Sequence, residues 1–294
     1  VATNVFDDYH EWPATLVAAL ALAGAVIARE ARARAGAAAR GPVVVGALAG
    51  TIALGAAVLA WEDPFGWRAP ADRDHAVTKL DQARNFYGTV SVAERRYRDD
   101  PSRDHRVFYS GAITHGIQYL APDKRRLPVT YYSEDSGIGE TLRWVMDRQP
   151  SAKVALVGLG AGTLATYARE TDHYDVYEIN PEAVRIAERW FDNLSTCRAA
   201  TRRVLVGDAR LKLAEEPAGR FDILAVDAFS SDAIPLHLLT REAFETYRRT
   251  LSPEGVLLIH VSNRFLDLEP VVAAIAKDMG LSARQLFYQP DAAG

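Results

Sequence analysis

The chain has 294 residues, with 34 Lys and Arg against 38 Asp and Glu, for a net charge of -4. That length holds one α/β domain of about 200 residues with a segment to spare, and the acidic balance gives no basic surface for a nucleic-acid partner. Cys197 is the single cysteine, which excludes an intramolecular disulfide framework and is compatible with a reducing compartment.

Two uncharged runs open the chain. Ala14 to Ala28 follows Trp12 and Pro13, and Pro42 to Trp61 is rich in Val, Leu, Ala and Gly. The second is long enough to cross a hydrocarbon core of about 30 Å, and the first reaches that length with Arg29 snorkelling. Trp12 and Trp61 lie where interfacial aromatics belong. Residues 1–61 therefore read as two transmembrane helices joined by a basic loop, Arg29 to Arg40; the alternative is a pair of Ala-rich core helices. Asp7, Asp8 and Glu11 argue against a cleaved signal peptide. A start at Val1 rather than Met suggests a piece of a longer membrane protein.

Residues 62–81 read as a polar, Pro-containing linker. The segment 82–149 is β-rich at first. FYGTVSVAERRY alternates and stops at Asp99-Asp100-Pro101-Ser102, and RVFYSGAITHGIQYL continues as strand broken at Gly111 and Gly116. These predict a small antiparallel sheet over 82–132. Ser136 to Arg148 has helical spacing at Ile138, Leu142, Trp144 and Val145.

From 150 to 294 strands and helices alternate. Strands are predicted at 153–158, 174–179, 203–207, 221–226 and 255–261, with a sixth at 284–288. Helices are predicted at 162–170, 181–192, 208–215, 240–250 and 267–279. Asn180 suits a helix cap and Pro181 a first turn. The fold class is α/β: a doubly wound parallel sheet of Rossmann type, with ligands at the carboxyl ends of its strands.

The chemistry sits at those ends. Gly158, Gly160 and Gly162 make a G-x-G-x-G turn between strand and helix, and Glu178 ends the next strand, where a carboxylate can accept both hydroxyls of a ribose. Asp208 and Asp227 end the following two. A nicotinamide site shares the turn and the first acid. Asp208 lies where an adenine amino group is bonded in an S-adenosyl-sulfonium site, and the loop DAFSSDAIP adds Asp232 five residues after Asp227. Hydride transfer needs no such pair. An amine nucleophile, protonated at neutral pH with a pKa of about 10, does need a carboxylate to orient it and take a proton. Asp227 is the candidate base and Asp232 the candidate amine anchor; the alternatives are a solvated strand-end acid and a turn cap. His115 can bond a substrate or move a proton, or can pack at a strand edge. His260 reads as a core histidine. Ser262 and Asn263 either line the pocket or form a turn. Ser230 and Ser231 lack the context of a nucleophile elbow. No H-E-x-x-H and no cysteine pair point to a metal.

RNFYGTVSV, HGIQYL, YYSEDSGIGETL, VGLGAGTLA, YEINP, GDAR, DAFSSDAIPLHLLT and HVSNRFLDLEP, spread over residues 82–270, resemble the spermidine synthase family of aminopropyltransferases, in its membrane-fused branch. The resemblance implies that the glycine turn, Glu178 and Asp208 hold the adenosine moiety of decarboxylated S-adenosylmethionine. It implies that Gln118 is the family's strand glutamine, that Asp227 is the base, and that the loop with Asp232 closes over a diamine such as putrescine. Methylthioadenosine would be released. The chain departs from the pattern in three places: Ala161 stands where the family has an aspartate in the glycine turn, His115-Gly116 replaces Asp-Gly, and the acidic loop lacks D-P-x-G-P. Ile138 stands near the gatekeeping tyrosine's place, with Tyr131 and Tyr132 close by as substrate-binding candidates. Two other functions fit the same scaffold: a methyltransferase using intact S-adenosylmethionine, and a non-catalytic ligand sensor on a transporter-like membrane protein. The resemblance also implies a homo-oligomer formed through the β-rich segment. The basic loop 29–40 fits the cytoplasmic side, whereas a cofactor made in the cytosol puts the C-terminal domain there. The expectation is a protein anchored in the cell inner membrane with its catalytic domain cytoplasmic.

Overall fold

The computed structural model describes residues 74–228, 235–263 and 266–288, together with 19, 22–26, 29–30, 33 and 50. The two expected membrane helices, their basic loop, Ser230, Ser231 and Asp232 lie wholly or mostly outside these residues. Among the described residues no helix is long and apolar enough to cross a membrane. The chain divides into Val1–Asp72 and Arg73–Gly294, and the second unit holds both sheets.

That unit opens with β1 (His75–Asn85), β2 (Gly88–Tyr97), β3 (His105–Ser110) and β4 (Ile113–Tyr119), an antiparallel sheet in sequence order. The strand ladder begins inside the predicted linker 62–81, with His75 opposite Tyr97. β1 is the edge strand, covered on one side only, so its polar residues need no apolar alternation. A register shift at Lys79/Asp81 re-aims Asp81, which takes Arg185 at 2.9 Å and the Trp190 indole N–H at 2.7 Å. The Arg185 bond, the largest cause, outweighs burial and holds the Asp81 carboxyl down at about 2.

α1 (Gly137–Met146) starts at Ser136, whose Oγ accepts the Gly139 N–H at 3.2 Å. Then come β5 (Lys153–Val157), β6 (His173–Glu178), α2 (Pro181–Trp190), β7 (Thr201–Val206), α3 (Ala209–Glu215), β8 (Phe221–Val226), α4 (Arg241–Thr250), β9 (Leu251–Ile259) and α5 (Glu269–Asp278). The five strands are parallel in the order β7-β6-β5-β8-β9, a Rossmann-like sheet. The order reverses between β5 and β8, and this switch point opens a crevice at the carboxyl ends.

Three predicted elements differ. The helix expected at 162–170 is a short 3-10 turn, Thr163–Tyr167; the Arg169 N–H donates to the Asp172 carboxylate at 2.9 Å instead of continuing a helix. β9 starts and ends earlier than 255–261, which moves His260 out of the strand and onto the rim. Residues 284–288 form no strand. Leu286 lies against Gly137, and the Ser133 hydroxyl donates to Tyr288 Oη at 2.9 Å, so this stretch packs along the start of α1 by its side chains.

Apolar side chains of α2 and of Phe191 just after it join the two sheets. Ala183, Ile186 and Phe191 pack with Val90, Val92 and Phe108; each fully buried large side chain contributes about 1.5–3 kcal/mol. Arg106 on β3 donates to the Trp190 carbonyl at 2.7 Å, and the Asn85 amide donates to Asn180 at 2.7 Å. These contacts hold β4 over the turn that follows β5.

Candidate active site

The turn after β5 is built for close backbone approach. Gly158, Gly160 and Gly162 have φ of 97°, 52° and 74°, a region that costs residues with a Cβ about 1–2 kcal/mol. A Cβ on Gly158 would stand 2.2 Å from the Asp227 carbonyl oxygen, and one on Gly160 would stand 2.3 Å from that of His115. The turn is thus clasped between β8 and β4. The Ala161 N–H donates to the His115 carbonyl at 3.3 Å, and the Asn193 amide donates to the Ala161 carbonyl at 2.9 Å.

Gln118 explains part of that clasp. It is 2% exposed, and its amide donates to Asn193 at 2.7 Å and to Asp192, while its carbonyl accepts the Asp192 N–H at 3.2 Å. The structure therefore places Gln118 beneath the turn, acting through Asn193, and not on the rim with the strand-end acids.

Glu178 ends β6 beside the turn. One carboxylate oxygen accepts the Leu159 N–H and the other the Asn180 N–H, both at 2.9 Å. Burial raises its pKa, and the backbone N–H groups of Asn180, Leu159 and Ile179 only partly offset that. The two carboxylate oxygens together offer about four lone-pair sites, more than these backbone N–H groups use, so the carboxylate keeps acceptor capacity for a hydroxyl. Asp208 caps α3 through the Leu211 N–H at 3.2 Å and meets His237 Nε2 at 3.2 Å. A cavity of about 10 Å³ lies under the turn among Tyr132, Leu159, Gly162 and Leu164, room for about one water.

Asp227 follows β8 and is the centre of a linked cluster. Its Oδ2 accepts the Tyr132 hydroxyl at 2.6 Å, and its Oδ1 meets His260 Nδ1 at 2.7 Å. Its side chain is 9% exposed. Burial alone would raise its pKa; hydrogen bonding and charge from His260, the Tyr132 hydroxyl and the nearby His115 together lower it. The same contacts act in reverse on His260, where burial lowers the pKa and Asp227 raises it further. Burial, then Asp227, pushes the Tyr132 hydroxyl far up. The Tyr131 ring lies 4.2 Å from that of Tyr132 and 5.0 Å from that of His260, centroid to centroid. Tyr131 and Tyr132 end a 3-10 turn entered through Thr130, whose φ of 62° is the single left-handed non-glycine among the described residues.

Sequence reasoning read His260 as core. The adjacent parallel strands pair Val226 with Ile259, so residues 227 and 260 leave the sheet side by side. That register was the available signal, and it depended on where β9 ends.

Polyamine aminopropyltransferase of Vibrio vulnificus is 31% identical over 153 residues, 50% of this chain and 47% of that one. Spermidine synthase 1 of Pisum sativum is 27% identical over 139 residues, 46% and 40% of the two chains. Over about half its length the chain is similar in sequence to polyamine aminopropyltransferases. It spans less than half the length of these curated relatives. No family model matches. A probable spermidine synthase from Corynebacterium glutamicum superposes with a TM-score of 0.47 at 18% identity, covering 62% of each chain.

Where this chain departs from the aminopropyltransferase pattern, the packing gives a reason. Ala161 is 1% exposed, and its Cβ would lie 2.5 Å from a Cβ placed on Gly116. An aspartate there would bury its charge against β4. Ser262 is exposed and Asn263 accepts the Leu266 N–H at 2.9 Å. Among the described residues no group of His, Cys, Asp or Glu is arranged to hold a metal ion.

Proposed function

We propose that this chain is a spermidine synthase-like aminopropyltransferase, moving the aminopropyl group of decarboxylated S-adenosylmethionine to an amine and releasing methylthioadenosine. The observation that carries this is Asp227, an ionised carboxylate held between Tyr132 and His260 at the switch point, across the glycine turn from Glu178. The turn and Glu178 would bind the adenosine, with Asp208 at the adenine end. The sulfonium activates the neighbouring carbon, so the protein's task is positioning and electrostatics. The amine must give up a proton before its lone pair can attack, and the Asp227 cluster is the group beside it that carries this change of charge. Asp232, in the loop that follows Asp227, is the proposed amine anchor. Incubating the purified chain with decarboxylated S-adenosylmethionine and a panel of mono- and diamines tests the proposal. Methylthioadenosine should appear with at least one amine; binding of the sulfonium without release from any amine rejects it.

Methyl transfer is favoured by one observation. Buried Ala161 leaves the glycine turn without an acid, so the carboxylate of intact S-adenosylmethionine meets no like charge there. At an effective dielectric of about 20 one charge contact at about 4 Å is worth about 4 kcal/mol. Calorimetric titration with the two sulfonium compounds separates the two reactions. Membership of the membrane-fused branch rests on the uncharged runs 14–28 and 42–61, and alkaline extraction of membranes from expressing cells tests it.

A further inference from the structure

We propose that His237 reads the base of the bound nucleoside, donating to a ring nitrogen of adenine while Asp208 accepts from the amino group beside it. This rests on the nucleoside-binding reading above and adds the residue that sets base specificity.

The backbone brings the two side chains together from separate elements. β6 and β7 are parallel neighbours with Glu178 opposite Val206, and the Gly207 N–H donates to the Glu178 carbonyl at 2.9 Å. Asp208 therefore lies one strand over and two residues beyond the partner of Glu178, roughly 8 Å away for strands about 4.8 Å apart and about 3.3 Å per residue. A nucleoside with its ribose on Glu178 reaches Asp208 with the edge of its base. His237 comes from the 3-10 turn Leu236–Leu238 that precedes α4. The turn is held from beneath: Leu238 is buried, its carbonyl accepts the Tyr247 hydroxyl at 3.0 Å, and its N–H donates to the Pro235 carbonyl at 2.8 Å. His237 Nε2 stands 3.2 Å from Asp208 Oδ2, and the two side chains are 42% and 27% exposed, within reach of a ligand.

The chemistry of this pair fits adenine. An ionised carboxylate only accepts hydrogen bonds, so the ring nitrogen facing it carries the hydrogen whatever the charge of the imidazole. The Leu211 N–H takes Oδ1 at 3.2 Å, and Oδ2, on the His237 side, keeps lone pairs for a second donor. An acceptor and a donor thus stand side by side. Adenine offers the complementary pair, an amino N–H next to a ring nitrogen, and side chains that pair an acceptor with a donor recognise it in this way. The Nε2–H then bridges Oδ2 and the ring nitrogen as a three-centre bond. Hypoxanthine would instead set a carbonyl oxygen against the Asp208 carboxylate. The faces of a base are provided for as well. Ile179, Val206, Leu211 and Leu236 each lie within three residues of Glu178, Asp208 or His237, and they are 37%, 49%, 58% and 70% exposed. Large apolar side chains left open beside a few placed polar groups mark a ligand surface.

The test is calorimetric titration of the purified chain with methylthioadenosine, methylthioinosine, and the 1-deaza and 7-deaza analogues of methylthioadenosine. The wild type, His237→Phe and His237→Gln are compared. The wild type should prefer methylthioadenosine to methylthioinosine by about 30-fold or more, and should lose about 10-fold on the deaza analogue that lacks the nitrogen facing His237. His237→Phe keeps a ring without the donor. It should bind methylthioadenosine about 10-fold more weakly, and its sensitivity to that deaza substitution should vanish. His237→Gln returns an amide donor and should recover most of both. A merely structural role would change the melting temperature and the affinity for every analogue alike, leaving the deaza sensitivity in place. Deaza sensitivity that persists unchanged in His237→Phe overturns the proposal, as does a wild type indifferent to both ring nitrogens; in either case binding of methylthioadenosine itself leaves the functional reading standing. A wild type that binds no methylthioadenosine overturns both.

Discussion

Replacing Tyr132 with Phe removes one oxygen atom and leaves the ring in its packing among Leu142, Leu156 and Leu164. The hydroxyl it removes donates at 2.6 Å to a carboxylate that is 9% exposed. A hydrogen bond to a charged, desolvated acceptor is worth about 1.5–3 kcal/mol. At about 2–4 °C per kcal/mol for a unit of this size, the melting temperature should fall by about 3–12 °C near pH 7. The sign of the pH dependence follows from Asp227. Its folded pKa is depressed below the ordinary 3.8, so its ionised form stabilises the fold above that value, and the contribution is lost as pH falls through the folded value. The gap between wild type and Tyr132→Phe should therefore be full at pH 6–7 and shrink below about pH 4. Urea unfolding at a series of pH values measures it. A gap below about 0.5 kcal/mol at neutral pH, or one that does not shrink on acidification, would refute the linked Tyr132–Asp227 pair.

Three further outcomes follow from the site. Gly158→Ala meets both a left-handed backbone and the Asp227 carbonyl, and should cost about 2–5 kcal/mol, whereas Gly219→Ala, with φ of 66° and open space around it, should cost only the backbone share of about 1–2 kcal/mol; equal midpoints in denaturant would contradict the close approach of the turn to the end of β8. Glu178→Gln should weaken methylthioadenosine binding by about 10-fold or more in calorimetry, because a neutral amide replaces the charged acceptor facing the ribose; unchanged affinity would place the ribose elsewhere. Ala161→Asp, which restores the family's acid at a position 1% exposed, should destabilise the chain by about 2 kcal/mol or more without gaining affinity for a diamine; a stable variant with improved diamine turnover would show that the turn has room for the acid.

The parts of the fold governed by local rules were legible in the sequence. A glycine turn after an apolar run, an Asn-Pro cap at 180–181 and acids at strand ends each express one backbone requirement, and the structure has them where the pattern placed them. What depends on neighbours was not legible. β1 is polar because it is an edge, so its first residues, 75–81, looked like linker. The segment 162–170 had helical composition, but the Asp172 carboxylate captures the Arg169 N–H and ends the turn early. Gln118 matched a motif glutamine, yet its amide is spent on Asn193 and Asp192. His260 sat inside a predicted strand, and only the true end of β9, in register with β8, brings it to Asp227.

The most direct measurement is a crystal structure of the chain soaked with methylthioadenosine. The account predicts ribose hydroxyls on Glu178, the base beside Asp208, and the sulfur turned toward Asp227 and His260, with the glycine turn against the nucleoside. Density for the nucleoside anywhere else, or a rim that stays empty at millimolar ligand, would contradict it.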